Sequence, residues 1–208
     1  MYLSKLVLNP RETPVLRDLS NAHKLHQRIM QAFPDEEDRE HPREDWHILF
    51  RQEPDSDVVL VQSALEPDWS KLPDGYLAEP SKPKPFHLSE EVLSEGRIFQ
   101  FRLRANPSKR DNKTKKTLGF YHRPDQLAWL ERQADRSGFR LLSADVIPSP
   151  NVFGVKKKGS PPIRITTALF QGVLEVTSPK PFLAVLEQGL GRGKSYGCGL
   201  LSLARNRT

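Results

Sequence analysis

Apolar residues recur along the chain with two different periods, and the alternation between them divides it into short strands and helices. Tyr2 to Leu8 is an apolar-rich extended run closed by Asn9-Pro10. Asn21 then caps a predicted helix that reaches about Phe33, where Pro34 stops it, with Ala22, Leu25, Ile29 and Ala32 or Phe33 on one face. His47 to Arg51 and Val58 to Ser63 read as a hairpin across the turn-rich Pro54-Asp55-Ser56-Asp57. The Pro- and Lys-containing stretch from Pro67 to Phe86 shows no clear period, so the second helix of this half is weak. A domain boundary is expected near residues 88 to 96.

The second half repeats the order more clearly. From Arg97 to Ala105, Phe99, Phe101, Leu103 and Ala105 fall on one side of a strand, with Gln100, Arg102 and Arg104 on the other. Asn106 to Thr117 reads as a polar cationic loop. Pro124 opens a helix through Leu127, Leu130 and Ala134 that Gly138 ends. Strands are expected at Phe139 to Val146 and Val152 to Lys157, then a hairpin of Ile163 to Phe170 and Val173 to Thr177 about Gln171-Gly172. Ser178-Pro179 starts a last helix closed by Gly189, and Leu200 to Ala204 forms a final strand. Each half thus approximates strand, helix, two strands, helix, strand. The expected class is α+β, with two tandem ferredoxin-like (RRM-like) βαββαβ units, residues 1–90 and 91–208.

Composition narrows the classes that such a fold can serve. Of 208 residues, 37% are hydrophobic and none of the apolar runs approaches the ~20 residues that span a bilayer, which excludes a helical membrane protein. The N-terminal run has neither a long apolar segment nor a small-residue cleavage site, so a cytoplasmic location is expected. A single cysteine, Cys198, excludes an internal disulfide framework and any Cys-based zinc site. The net charge of +6 is segregated: residues 35 to 95 hold 17 acidic and 6 basic side chains, residues 96 to 123 hold 1 and 9, and residues 151 to 208 hold 2 and 9. A basic second half fits a polyanionic partner, because Lys and Arg release the counterions condensed on phosphates. It equally fits a solvated face.

Two features carry candidate chemistry. On the first helix, His23 and His26 lie about 60° apart at 100° per residue, so both can reach one rim. Imidazole, with an ordinary pKa of about 6.5, can take the proton of an RNA 2′-hydroxyl or give one to a departing 5′-oxygen. Alone, H-x-x-H also fits a structural pair, an exposed pair or a metal site. The metal reading lacks a third ligand, because there is no H-E-x-x-H and the Asp35 to Asp38 cluster follows the helix stop. His41, His47, His87 and His122 have no comparable neighbourhood. Near the C-terminus, GLGRGKSYGCG holds five glycines. Its Gly193-Lys194-Ser195 is not a P-loop, since three rather than four residues follow Gly189 and the loop leads from helix to strand. A loop with so little side-chain bulk can lie against a phosphate backbone, with Arg192 and Lys194 beside it.

Taken together, MYLSKLVLNP, DLSNAHKLHQ, FRLRANPSKR, QLAWLERQA, QGVLEV and GLGRGKSYGCGLLSLA span nearly the whole chain. They resemble the CasE family of CRISPR RNA-processing endoribonucleases, within the RAMP superfamily of tandem ferredoxin-like proteins. The resemblance implies a metal-independent nuclease with no small-molecule cofactor and no membrane partner. Such an enzyme binds the stem-loop of a CRISPR repeat, cuts at the 3′ base of the stem, and keeps the guide RNA as it joins the other subunits of the type I-E surveillance complex. The family's catalytic histidine falls on His26. Its tyrosine partner three residues earlier is replaced by His23, a change of about 3.5 units in ordinary pKa that leaves the acid and base roles open. The basic groove, second-unit hairpin and Gly-rich loop that bind RNA in the family fall on Arg102, Arg104, Lys109 and Arg110, on Lys156, Lys157, Lys158 and Arg164, and on Arg192 and Lys194. A non-catalytic RNA-binding RAMP subunit, or a basic surface that docks an acidic protein, are the alternatives.

Overall fold

The structure, a computed structural model, describes residues 1–35 and 45–205. His41 and residues 36–38 of the acidic cluster lie outside the described residues. In chain order the elements are β1 (Tyr2–Val7), α1 (Thr13–Leu19), α2 (Ala22–Met30), β2 (Leu49–Gln52), β3 (Val58–Ser63), β4 (Lys84–Pro85), β5 (Ile98–Ala105), β6 (Ser108–Arg110), β7 (Thr117–Gly119), α3 (Arg123–Arg136), β8 (Phe139–Ile147), β9 (Val152–Gly154), β10 (Ile163–Ile165), β11 (Ala168–Val176), α4 (Pro179–Gln188) and β12 (Leu201–Arg205). Two compact units result. The first contains Met1–His87 with Val152–Arg164 and Lys194–Gly197, and the second Leu88–Asn151 with Ile165–Gly193 and Cys198–Thr208. None of the helices among the described residues is long and apolar enough to cross a membrane.

In the first unit the sheet order is β2-β3-β1-β4, all pairs antiparallel. In the second it is β12-β5-β11-β8, again antiparallel. Both orders are what two interleaved β-helix-β pieces produce, and the fold is a tandem of ferredoxin-like units, as the sequence led us to expect. Helix α2 is only nine residues long, too short to persist alone in water. Leu25, Ile29 and Met30 bury its apolar stripe against Leu6, Val59 and Val61 of the sheet. At about 1.5–3 kcal/mol per fully buried large apolar side chain, that packing outweighs its poor intrinsic stability.

Three local expectations fail for identifiable reasons. Gln171-Gly172 is not a turn, because β11 runs unbroken from Ala168 to Val176. A Cβ on Gly172 would lie 2.1 Å from the Ser143 carbonyl oxygen, so the glycine is needed for close approach to β8 rather than for reversal. The weak second helix of the first unit is one 3₁₀ turn, Trp69–Lys71. The cationic loop after β5 is partly ordered as the β6–β7 hairpin, its turn closed by Asp111, whose carboxylate accepts from the backbone N–H groups of Lys113 and Thr114.

One helix went unrecognised in the sequence. Pro14 starts α1, which is seven residues long, and Asp18 at its end is 1% exposed. Its carboxylate accepts from Arg28 Nε at 2.7 Å and from the Tyr76 hydroxyl at 3.2 Å, joining α1 to α2. The Arg28 guanidinium also lies 5.0 Å from the centre of the Tyr76 ring. Burial, followed by the Asp18 charge, pushes the Tyr76 hydroxyl far above its ordinary pKa, so it stays a hydrogen-bond donor.

Candidate functional site

The candidate chemistry belongs to α2 of the first unit. Asn21 precedes the helix with extended backbone, and its Oδ1 accepts from the His23 N–H at 3.1 Å. The same oxygen accepts from the Val155 N–H at 3.1 Å, and Nδ2 donates to the Val155 carbonyl at 3.1 Å. One side chain therefore caps the histidine helix and fastens to it the segment that follows β9. Gly154 permits the approach: a Cβ there would lie 2.9 Å from Asn21 Oδ1 and 3.1 Å from the His23 nitrogen. This attachment is why residues 152–164, read from the sequence as part of the second half, cluster with the first unit.

His23, His26, Gln27, Gln31, Asp35 and Lys71 face an open cleft of about 610 Å³. The two imidazoles are thus brought together, as their spacing suggested. His23 Nδ1 is buried with no hydrogen-bond partner among the described residues. The His26 ring meets Tyr196 edge to face, with centroids 6.3 Å apart and planes at 62°. Tyr196 stands on a 3₁₀ turn, Lys194–Tyr196, supplied by the Gly-rich segment. Gly197 ends that turn with φ at +82°, and a Cβ on it would sit 3.1 Å from Phe50 Cε2, so only glycine fits without strain. The sequence singled out Lys194 in this motif and passed over its aromatic neighbour two residues on.

The expected RNA contacts fall into two groups. In the first unit, Lys156, Lys157 and Lys158 are exposed on the connection between β9 and β10, and Arg164 is exposed on β10. Ser160 shapes that connection, its hydroxyl accepting from the Lys157 N–H and donating to the Lys157 carbonyl. Phe153 on β9 is 49% exposed beside them. Lys194 is half-buried, and burial lowers the pKa of its ammonium.

In the second unit, Arg102 and Arg104 project from the β5 face opposite Phe101 and Leu103. Arg102 is exposed and donates to Gln171 Oε1 at 3.3 Å. Arg104 is largely enclosed and donates to the Pro150 carbonyl at 2.8 Å, and burial lowers its pKa. Lys109 and Arg110 are exposed on β6, with the Lys109 ammonium 5.9 Å from the Phe120 ring centre. Arg192 donates to Thr117 Oγ1 on β7 at 2.9 Å. Much of the Gly-rich segment's backbone is spent internally: Leu190 N–H donates to Gly199, Cys198 N–H to Gly193 and Gly199 N–H to Arg104. Those three donors are unavailable to a phosphate.

Comparison with known proteins agrees with the fold. A family model described as CRISPR associated protein matches residues 1–205. The CRISPR-associated endoribonuclease Cse3 of Thermus thermophilus is 40% identical, over 98% of this chain and 100% of its own length. The CRISPR system Cascade subunit CasE of Escherichia coli K12 is 32% identical, over 98% of this chain and 99% of its own. A solved structure of Thermus thermophilus Cse3, bound to an RNA representing a pre-cleavage complex, superposes with a TM-score of 0.83 at 37% identity and covers 98% of both chains. Near-complete coverage at such identity extends over both ferredoxin-like units and the histidine helix, and the chain belongs to the CasE family of CRISPR-associated proteins.

Proposed function

We propose that this protein is a cytoplasmic, metal-independent endoribonuclease that binds the stem-loop of a CRISPR repeat and cleaves precursor CRISPR RNA at the 3′ base of the stem. It then retains the guide RNA as a subunit of the type I-E surveillance complex. The observation that carries the reading is the pair of imidazoles, His23 and His26, on one rim of an open cleft. That it occurs in a chain 40% identical to an endoribonuclease and 32% identical to a Cascade subunit supports both the reaction and the assembly.

In this reaction the 2′-hydroxyl of the nucleotide before the cut attacks the neighbouring phosphorus as its proton passes to a base. The bond to the 5′-oxygen breaks as that oxygen takes a proton from an acid, leaving a 2′,3′-cyclic phosphate. His26, held by the Tyr196 ring, is the principal acid or base. His23 assists by orienting the 2′-hydroxyl or by exchanging protons. Side chains three apart on a helix have Cβ atoms about 5–6 Å apart, so both can reach one phosphodiester. In the first unit, Lys156, Lys157, Lys158 and Arg164 hold the RNA backbone on a segment tied by Asn21 to the N-terminus of the catalytic helix. Lys194, and in the second unit Arg102, Arg104, Lys109, Arg110 and Arg192, add to binding.

The test is cleavage of the repeat hairpin by His26→Ala and His23→Ala proteins. Loss of a positioned acid or base lowers rates by roughly 10²–10⁴-fold, and that is expected for His26→Ala with hairpin affinity retained. A smaller loss is expected for His23→Ala. Full cleavage by His26→Ala overturns the assignment, and tight binding by the wild type without cleavage makes this a non-catalytic RNA-binding subunit.

A further inference from the structure

We infer that Lys71 is a further catalytic residue, its ammonium neutralising the charge that develops on the scissile phosphate. The inference rests on the reaction proposed above. As the 2′-oxygen bonds to phosphorus and the 5′-oxygen departs, the two non-bridging oxygens take on negative charge beyond that of the diester. The 2′ proton goes to one imidazole and the 5′-oxygen receives one from the other. Both transfers act at the bridging oxygens and do not neutralise the charge on the non-bridging ones. Positioned cations aimed at such oxygens are among the largest contributors to phosphoryl-transfer rates.

Among the described residues, Lys71 is the one Lys or Arg that lines the cleft with His23 and His26. It is exposed, so its ammonium is accessible to a substrate. Its backbone is also fixed relative to the catalytic helix, which a mere surface lysine would not need. The Asp68 N–H donates to the Ala32 carbonyl just beyond α2 at 2.8 Å, and the Asp68 carboxylate caps the Trp69–Lys71 turn by accepting from the Ser70 N–H at 3.1 Å. Trp69 packs edge to face on Phe33, centroids 6.2 Å apart, and its indole N–H donates to Ser4 Oγ at 2.9 Å. The turn is thus pinned to the end of α2 on one side and to β1 on the other. The fixed turn sets where the Lys71 side chain begins and so shortens the search its ammonium makes, which favours electrostatic catalysis, since a cation that must be ordered at the moment of reaction contributes less. Asp35 faces the same cleft, and the Asp68 carboxylate is held below its ordinary pKa by its hydrogen bonds from Ser70, with help from the Lys71 charge.

The experiment uses the full chain as wild type, Lys71→Ala, Lys71→Arg and His26→Ala. Single-turnover cleavage of the repeat hairpin is measured at saturating enzyme, and affinity is measured separately with a hairpin carrying a 2′-deoxy nucleotide at the cut. Lys71→Ala is expected to cleave roughly 10²-fold more slowly with affinity within about threefold of wild type, and Lys71→Arg to recover most of the rate. An unchanged rate in Lys71→Ala overturns the inference, as does weaker affinity with an unchanged rate, which would make Lys71 a binding contact only. A rate loss matched by a lowered melting temperature, and not restored in Lys71→Arg, also overturns it. If the wild type itself fails to cleave, the proposed function falls first; if wild type cleaves, His26→Ala does not and Lys71→Ala cleaves normally, only this inference falls.

Discussion

His26 and Tyr196 meet edge to face with ring centroids 6.3 Å apart, so the residue assigned the proton transfer is steadied by an aromatic from a segment 170 positions away in the chain. Ring pairs of this kind contribute about 0.5–1.5 kcal/mol, which corresponds to as much as roughly tenfold in rate if it is spent on orientation. Tyr196→Ala should therefore slow single-turnover cleavage by up to about tenfold. Tyr196→Phe should stay close to wild type, since the ring and not the hydroxyl makes the contact. Cleavage time courses for the two variants decide it, and equal losses in both would move the role to the hydroxyl.

Asn21 makes three hydrogen bonds, one to the helix and two to Val155. Removing an N-cap side chain costs about 0.5–2 kcal/mol, and the Val155 N–H and carbonyl would lose their partner as well. Asn21→Ala should lower the unfolding free energy of the first unit by about 2 kcal/mol. Asn21→Asp keeps the accepting oxygen and should lose less. Urea titrations followed by the tryptophans Trp46 and Trp69, both buried in that unit, report the difference.

Gly172 sits mid-strand under the Ser143 carbonyl. Gly172→Ala forces β8 and β11 apart and should destabilise the second unit by about 1–3 kcal/mol, as other overpacking substitutions do. Thermal unfolding checks this, and a neutral result would mean the strands relax around the methyl group.

That glycine also marks where the sequence stops being legible. A Gly between two apolar runs carries the same local signal whether it turns the chain or admits a neighbouring strand, and only the pairing of β11 with β8 separates the two. The strands and helices with strong periodicity, β5, α3 and α4, were readable because one face of each is core. Helix α1 was not, since it is short and its key residue is a buried carboxylate, Asp18, rather than an apolar stripe. In the site, His23 and His26 were legible from their spacing. Tyr196 and Lys71 were not, because each reaches α2 through long-range packing that no local pattern encodes.

Burial pushes the Cys198 thiol from an ordinary value of 9.0 up to about 11, against the opposing pull of the Arg104 charge. Because the folded form holds its proton where the unfolded form has released it, this contribution to stability is intact below pH 9 and is lost as pH rises from about 9 to about 11. The loss is on the order of 2 kcal/mol. Urea unfolding at pH 8 and at pH 10.5 should show a steeper decline in wild type than in Cys198→Ala, which lacks the titrating group. Parallel declines would contradict it.

The proposed reaction is strand scission by the RNA's own 2′-hydroxyl without a metal ion. Its most direct test is single-turnover cleavage of the cognate repeat hairpin in EDTA, comparing unmodified RNA with RNA that is 2′-deoxy at the scissile nucleotide. The unmodified hairpin is expected to be cut to a 2′,3′-cyclic phosphate while the deoxy hairpin binds and stays intact. Cleavage of the deoxy hairpin, or loss of all cutting in EDTA that returns with a divalent cation, would contradict it.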